Sequence, residues 1–328
     1  MKRSLPLVLA MLTMALEQQV AAAPPAAVTD LLAQDARLAR VAERLLAANA
    51  WLCRQTMPIT GMVLHSRDQY PADAAQGLFA NGAVEVALVL PDSPAELARL
   101  RPGDGLAAIG AIRTADLRAD GEAPLRDAAF DTLATAWLGP GPLSLTIIRD
   151  GVEREVTLEP AAGCRGLVEI RTRDSLTARS DGRVIQVDFG LVAAASDEEL
   201  PVIFGHELAH LVLEHRRRLD AAGVEKGFFG EFGRNQRLNR QVEVEADRLT
   251  VHLLANAGYD PQIAPTFWRS RLARRAAGGL TLSTTYPTAE ARAVLLEREI
   301  ADYLPTRAGP SFPGHLLARR DMPFPPPR

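Results

Sequence analysis

The stretch FGHELAHLVLEH, residues 204–215, places three histidines and two glutamates within twelve positions of a chain that contains six histidines in all. If this stretch is helical, the imidazoles of His206 and His210 stand one turn apart on the same face and can reach one metal ion. The carboxylate of Glu207 faces the edge of that site and can accept a proton from an attacking water. The pattern therefore predicts either a catalytic metal site or an amphipathic helix that contains ring nitrogens.

The residues before this stretch predict where its helix begins. Ser196 and Glu199 fit a capping box, in which each side chain bonds the backbone N–H of the other residue. Pro201 has no N–H, so beyond the first turn it would break a helical hydrogen bond. We therefore expect the helix to begin near Pro201.

A catalytic zinc site needs a third protein ligand and one open position. The segment QVEVEADRLTVHLLANAGYDP, residues 241–261, supplies a candidate on a second predicted helix, residues 239–257. Glu243 and Asp247 share a face of that helix, so we predict that Glu243 completes the coordination and Asp247 accepts the free ring N–H of a ligating histidine. Glu245, on another face, is the alternative ligand. The alternative interpretation is an ordinary acidic helix face.

The other four histidines have weaker cases. His215 follows His210 by five positions, off the ligand face, so we expect a surface or packing residue. His252 follows the acidic motif by one turn and is expected to be structural. His65 and His315 have no supporting context in the sequence.

These motifs resemble the gluzincin metallopeptidases of family forty-eight, the group that includes CAAX prenyl proteases, HtpX-like membrane proteases and BepA-like periplasmic proteases. HELAH is followed by ExEAD and then AGYDP, and the resemblance runs from about residue 167 to residue 300. It implies an α+β, zincin-like metallopeptidase domain with one Zn²⁺ per chain, bound by His206, His210 and Glu243. Glu207 would be the general base, and polypeptides the substrates.

Two further segments carry the same resemblance. DGRVIQVDFGLVAAASDEEL, residues 181–200, is similar to the family's strand, turn and helix entry, and implies that residues 183–187 form an edge strand that aligns an extended substrate. STTYPTAEAR, residues 283–292, is similar to the family's S-T-H-P followed by an arginine. Arg292 matches that arginine and is expected to support the ligands from behind. Tyr286 stands where a histidine is common, and its hydroxyl can donate to an oxyanion.

Residues 57–160 differ in character, because short β-rich runs alternate there with turn residues. Asp150-Gly151 predicts a tight hairpin, since both residues tolerate positive φ. LPDSPAELARLRPGDGLAAIG, residues 90–110, resembles the central signature of bacterial PDZ domains. That resemblance implies a sheet edge to which extended peptides, often C-termini, add as a strand, with residues 76–79 taking the terminal carboxylate. Another small β module is the alternative.

The N-terminus predicts export. A basic start, an apolar run and small residues near Ala22 are typical of a secretory signal peptide, residues 1–22. The alternative is an uncleaved membrane anchor, for which the run is short. We therefore expect a periplasmic protein with no transmembrane span after signal removal. In an oxidising compartment Cys53 and Cys164 are expected to form a disulfide that ties together the ends of the β-rich insertion; two unrelated buried thiols are the alternative.

The sequence thus predicts an α+β chain of five segments: a signal peptide (1–22), an N-terminal helix (23–56), an inserted PDZ-like domain (57–160), a zinc metallopeptidase domain (161–304) and an irregular Pro-rich tail (305–328). A net charge of −3 gives no reason to expect nucleic acid. The predicted function is a zinc endopeptidase that acts on polypeptides, among them misfolded envelope proteins. The rival is a PDZ peptide-binding protein with a vestigial or structural metal site.

Overall fold

The structure is a computed structural model that describes residues 26–72, 75, 77–224, 233–278, 288–304 and 310–324. The predicted signal peptide, Gln76 and Tyr286 lie outside these residues. Within them helices and strands are mixed, as an α+β fold requires. No helix in the described part of the chain is both long and apolar enough to cross a membrane.

The described helices, in chain order, are α1 Ala26–Ala48, α2 Pro94–Leu97, α3 Leu125–Ala136, α4 Phe189–Ala194, α5 Glu199–Val212, α6 His215–Ala221, α7 Gly233–Asn256, α8 Ile263–Arg269, α9 Arg271–Gly278, α10 Ala289–Tyr303 and α11 Gly314–Leu317. The described strands are β1 Thr56–Ile59, β2 Met62–Ser66, β3 Val84–Val89, β4 Gly105–Ile109, β5 Ile112–Arg113, β6 Leu143–Arg149, β7 Val152–Leu158, β8 Ala161–Cys164, β9 Leu167–Arg171, β10 Ala178–Ser180 and β11 Val184–Asp188.

The larger hydrophobic core brings together α1, α5 and α7. Leu38, Leu45 and Leu46 of α1 are 1%, 0% and 1% exposed, because they recur at helical spacing on one face. Gly205 lets α5 approach α7 closely, since a Cβ at this position would lie only 3.2 Å from Cγ2 of Thr250. The two helices that carry the predicted ligands therefore pack directly against each other.

The start of α5 follows the prediction from sequence. The N–H of Ser196 donates to Oε2 of Glu199 at 3.0 Å, and the N–H of Glu199 donates to Oγ of Ser196 at 3.2 Å, so the capping box is formed. Pro201 lies in the first turn, where its missing N–H breaks no bond. The second motif helix, α7, begins at Gly233 and not near residue 239, and a positive φ of 74° at Gly258 follows its end.

A three-stranded sheet with the order β10-β11-β9 packs beside these helices. The expectation that residues 183–187 form an edge strand is wrong. β11 lies in the middle of the sheet, because it pairs with β9 in parallel on one side and with β10 antiparallel on the other. The edge strand that contacts α5 is β10.

Residues 62–158, called the β module below, have a separate core around a six-stranded antiparallel sheet of order β2-β3-β4-β6-β7, with β5 added to β4. Asp150 and Gly151 have φ of 54° and 73°, which is the tight hairpin predicted between β6 and β7. Oγ of Ser93 caps α2 by accepting from the N–H of Glu96 at 3.2 Å. α3, which was not predicted from the sequence, packs against this sheet.

The chain leaves the larger core to form the β module and returns to that core at the same place. β1 pairs with β8 antiparallel, from Thr56 opposite Cys164 to Ile59 opposite Ala161. Cys53 and Cys164 are joined by a disulfide with a Cα–Cα distance of 5.4 Å. Met57 and Ile59 of β1 belong to the larger core, although they lie within the range 57–160 predicted for the β-rich segment.

The C-terminal segment is more regular than its composition suggests. Within residues 310–324, α11 is followed by a short 3-10 helix, Ala318–Asp321. Leu316, Leu317 and Phe324 are 0%, 5% and 8% exposed. The expectation of an irregular end is therefore wrong for this part of the tail, because its apolar residues are buried against the body of the protein.

Candidate metal centre

Three side chains from two helices converge at one point. α5 supplies His206 and His210, whose Nε2 atoms lie 3.1 Å apart. α7 supplies Glu243, with Oε2 3.2 Å from Nε2 of His206 and Oε1 3.5 Å from Nε2 of His210. We call these three residues the ligand triad. The structure thus brings together the three residues that the sequence analysis selected as ligands.

The spacing of the ligand triad fits a zinc ion. Tetrahedral ligands at about 2.0–2.1 Å from zinc lie about 3.3 Å from one another. The three separations within the triad are 3.1, 3.2 and 3.5 Å. Two imidazoles and one carboxylate are also the donor set of catalytic zinc sites that keep a fourth position open. The triad therefore has the donors and the spacing that one zinc ion needs.

The carboxyl group of Glu207 lies next to the ligand triad in a place almost closed to solvent. Glu207 is 8% exposed. Burial raises its pKa to about 7, and the charge of Glu243 raises that pKa too, whereas His206 and Arg292 lower it. A carboxyl group with a pKa near neutrality can both take and return a proton, as a general base requires.

Asp247 and Arg292 lie directly behind His206. Oδ1 of Asp247 is 3.2 Å from Nδ1 of His206, although this contact is too poorly aligned to count as a hydrogen bond. Arg292 donates to both oxygens of Asp247, from Nε and from Nη2, at 2.6 Å each. Trp268, which no sequence motif indicated, covers the guanidinium of Arg292 with its ring centroid 3.4 Å away. This stacking helps to hold the pair in place.

The charges of the site favour a cation at its centre. Burial lowers the pKa of His206, but the carboxylates of Asp247 and Glu243 outweigh burial and raise that pKa to about 10. Burial raises the pKa of Glu243, but the hydrogen bond from His206 and the charges of the two histidines and Arg292 hold it well below its usual range. Burial lowers the pKa of His210 to about 3. The carboxylates thus hold positive charge within the triad, as a metal site requires.

A cleft of about 250 Å³ opens beside the triad. Its lining includes His210, Glu243 and Ser180, the last residue of edge strand β10. An extended chain in this cleft would therefore contact the end of β10 as well as two members of the triad.

His215 and Glu245 lie beside each other, outside the triad. His215 is 1% exposed, so of the two expected roles, surface or packing, it has the packing role, and its Nδ1 lies 2.9 Å from Nδ1 of His210. Glu245, the alternative ligand, does not face the triad: its Oε2 is 3.3 Å from Nε2 of His215 and 2.6 Å from Nη1 of Arg218.

Two of the remaining histidines, His252 and His315, bond to Glu299 and not to the triad. His252 and His315 both reach Oε1 of Glu299, at 3.0 and 2.8 Å from their Nε2 atoms. Oγ of Ser311 lies 2.6 Å from Nδ1 of His252, and Nε of Arg248 donates to Oε2 of Glu299 at 2.5 Å. The donor atoms of His252, Glu299 and His315 lie within 4.8 Å of one another, so this group could also hold a metal ion. Its contacts attach the C-terminal segment to α7 and α10. The structural role expected for His252 agrees with this.

Comparison with known proteins points to peptidases. No known family profile matches the chain. The mitochondrial metalloendopeptidase OMA1 of Arabidopsis thaliana is 31% identical over 123 residues, which covers 31% of this chain and 24% of that protein. The protein of the same name from Schizosaccharomyces pombe is 26% identical over 144 residues, covering 38% of this chain and 42% of that protein. The chain thus spans less than half the length of either relative. The mixed α and β fold and the triad are compatible with a metallopeptidase domain.

Proposed function

We propose that this chain is a zinc-dependent endopeptidase that hydrolyses peptide bonds in polypeptides. The observation that carries the proposal is the ligand triad, in which donors from two separate helices lie 3.1–3.5 Å apart with a buried glutamate beside them. The similarity to two metalloendopeptidases supports it.

The proposed hydrolysis needs both the zinc ion and side chains of the protein. A zinc ion bound to the triad supplies a Lewis acid that activates water and polarises the scissile carbonyl. Glu207 takes the proton of the attacking water and returns it to the leaving amine nitrogen. Asp247 and Arg292 keep His206 oriented through the contacts described above. The outer edge of β10, which pairs with no strand among the described residues, aligns the substrate as an added strand, since Ser180 lines the same cleft as His210 and Glu243.

The test compares three forms of the full chain for casein cleavage and zinc content. Wild type is expected to cleave with one zinc per chain. Glu207→Gln removes the base without removing a ligand, so we expect zinc to be retained. Cleavage should fall by about 100-fold or more, because a general base typically contributes about 10²–10⁴-fold to the rate. Glu198→Gln, an exposed glutamate near the start of α5, is the matched control and should cleave like wild type.

Two outcomes would contradict this proposal. Cleavage unaffected by Glu207→Gln would remove the assigned base. Zinc binding without cleavage of any polypeptide would favour the rival function, a peptide-binding protein with a structural metal site.

We further propose that the enzyme works outside the cytoplasm, in the periplasm, on misfolded envelope proteins. The predicted signal peptide and the disulfide between Cys53 and Cys164 support this location, because structural disulfides form mainly in oxidising compartments. Proteomics of the exported fraction with wild type and with Glu207→Gln tests it. Envelope proteins should accumulate with the variant, and an unchanged fraction would contradict the proposed role.

We also propose that the β module binds peptide C-termini, as its PDZ-like sequence suggests. A cavity of about 110 Å³ lies between β2, α3 and α1, and β2 is the edge strand of the module's sheet. The carboxylate of Glu43, from α1, accepts the N–H of Gly61 at 2.9 Å just before β2 begins. A carboxylate is therefore already held at the start of this edge, where a peptide terminus would compete with it. The loop of residues 76–79 was expected to bind the terminal carboxylate, but the N–H of Phe79 in this loop already donates to Oε2 of Glu85 at 3.2 Å.

Fluorescence anisotropy with paired peptides tests this binding. Peptides that end in an apolar residue would be used with a free or an amidated C-terminus. Free-acid peptides should bind more tightly than amides, and Glu43→Gln should strengthen free-acid binding because it removes the competing charge. Asp30→Asn, on the exposed part of α1, is the control. Equal binding of acid and amide to every form would refute carboxylate recognition.

A further inference from the structure

His210 and His215 face each other through nitrogens that do not belong to the ligand triad. Nδ1 of His210 lies 2.9 Å from Nδ1 of His215, while Nε2 of His210 lies in the triad. His215 is 1% exposed and therefore shielded from solvent. A contact this short needs one hydrogen between the two nitrogens, because two N–H groups would repel each other and two bare nitrogens would not bond.

The backbone at Glu214 brings His215 to this position. α5 ends at Val212 and α6 begins at His215, and between them Glu214 has the left-handed φ of 53° and ψ of 39°. In one continuous helix a residue five positions after His210 would lie on another face. The break at Glu214 returns the ring of His215 to His210.

Glu245 decides which nitrogen of His215 carries the hydrogen. Its Oε2 is 3.3 Å from Nε2 of His215 and accepts Nη1 of Arg218 at 2.6 Å. Its Oε1 accepts Nε2 of Gln241 at 2.7 Å and Nη1 of Arg319 at 3.1 Å. A carboxylate surrounded by N–H donors only accepts, so Nε2 of His215 carries a hydrogen.

The remaining assignment follows from the ligand role of His210. A histidine that binds a metal through Nε2 keeps that nitrogen bare, so its hydrogen is on Nδ1. Nδ1 of His210 then donates to a bare Nδ1 on His215. Both rings are neutral in this arrangement. The two hydrogen bonds run in one direction, from His210 to His215 and from His215 to Glu245.

We propose that His215 is a positioning residue that, with Glu245, holds His210 in the tautomer and ring orientation in which Nε2 binds zinc. This inference rests on the proposed zinc site. It gives the three acidic residues of α7 separate tasks: Glu243 is a ligand, Asp247 contacts His206, and Glu245 supports His210 through His215. Each supporting carboxylate is in turn bonded by a buried arginine, Asp247 by Arg292 and Glu245 by Arg218.

The test measures zinc affinity of the full chain by competition with a chromophoric chelator. Partners of ligating histidines typically contribute about 10–100-fold in metal affinity. His215→Phe keeps an aromatic ring but no acceptor, so we expect a loss of zinc affinity within that range. His215→Asn offers an amide oxygen near the place of Nδ1 and should restore part of the loss.

His252→Phe is the matched control. His252 is also 1% exposed and also bonds a buried glutamate, Glu299, but it does not contact the triad. Its substitution should affect stability while zinc affinity remains that of wild type. The visible spectrum of the cobalt-substituted protein gives a second readout, because it reports ligand geometry: it should change with His215→Phe and not with His252→Phe.

A measurement on wild type keeps the inference testable even if His215→Phe does not fold. Long-range ¹H–¹⁵N spectra of the zinc protein, labelled at histidine, report which nitrogen carries hydrogen. We expect Nδ1–H on His210 and Nε2–H on His215. Hydrogen on Nδ1 of His215, or a folded His215→Phe with unchanged zinc affinity and cobalt spectrum, would overturn the inference.

These readouts separate this inference from the proposed function. Zinc affinity and tautomer are measured without any substrate, so a chain that binds zinc but cleaves no polypeptide refutes the peptidase and leaves the role of His215 supported. Normal cleavage with a His215→Phe zinc affinity equal to wild type refutes only the role of His215. A chain that binds no zinc refutes both.

Discussion

Arg292 donates two hydrogen bonds of 2.6 Å to Asp247, one to each carboxylate oxygen. Asp247 is 2% exposed and Arg292 is 8% exposed, so the pair is buried together. The charge of Asp247 is therefore fixed 3.2 Å from the ring of His206, one of the two predicted histidine ligands. A salt bridge that joins α10 to α7 thus also determines the surroundings of the zinc site.

Asp247→Asn tests this relationship. The amide keeps the shape but loses the charge that faces His206 and Arg292. We expect zinc affinity to fall by about 10–100-fold, in line with the loss of other partners of ligating histidines. Chelator competition measures it, with Asp302→Asn, an exposed aspartate of α10, as the control. If Asp247→Asn binds zinc as tightly as wild type, Asp247 does not support His206.

Zinc stoichiometry tests the assignment of the two histidine clusters. Both the ligand triad and the cluster of His252, Glu299 and His315 have donor atoms close enough to hold a metal ion. In the second cluster both imidazoles contact the same oxygen, Oε1 of Glu299, at hydrogen-bond distance. We expect one zinc per chain by elemental analysis. His206→Ala should reduce this to near zero, and His315→Ala should leave one zinc. Two zinc ions per chain, or loss of zinc in His315→Ala, would show that the second cluster also binds metal.

The local motifs of the site were predictable from sequence because they depend on helical spacing. His206 and His210 are four residues apart on α5, and Glu243 and Asp247 are four apart on α7, so each pair shares a face in any regular helix. The capping box at Ser196 and the Asp150-Gly151 hairpin are equally local. Such patterns need no knowledge of the tertiary fold.

The features that were missed depend on tertiary contacts or on a single irregular residue. The left-handed conformation of Glu214 moves His215 to His210, and no spacing rule predicts such a break. Trp268 reaches the site only because α8 packs against α10. The place of β11 in the middle of its sheet depends on the pairing of β9 and β10, which sequence periodicity does not report.

The disulfide offers a third prediction. Cys53 and Cys164 are 111 residues apart, so the bond closes a loop that contains the whole β module. Replacing both by serine is expected to lower the free energy of unfolding by about 2–4 kcal/mol, because the unfolded chain gains freedom. Urea unfolding with and without reductant measures it. Reductant should destabilise wild type and have no effect on the double variant, and a double variant as stable as wild type would contradict the prediction.

Glu43 predicts how stability depends on pH. Burial raises the pKa of Glu43 from 4.5 to about 7, although its hydrogen bond from Gly61 opposes this shift. Between these two values the folded protein holds a proton that the unfolded chain releases, so stability falls as pH rises from about 4.5 to 7 and then levels off. The shift corresponds to a cost of up to about 3 kcal/mol above pH 7.

Glu43→Gln should remove this cost, because the amide oxygen can still accept the N–H of Gly61 and carries no charge. We expect the variant to be more stable than wild type at pH 8 and close to wild type at pH 5, as measured by the midpoint of urea unfolding. Some pH dependence should remain, since burial also raises the pKa of Asp35 to about 7. Asp30→Asn, at an exposed position of α1, should leave the pH profile unchanged. A stabilisation by Glu43→Gln of the same size at both pH values would show that folding does not raise the pKa of Glu43.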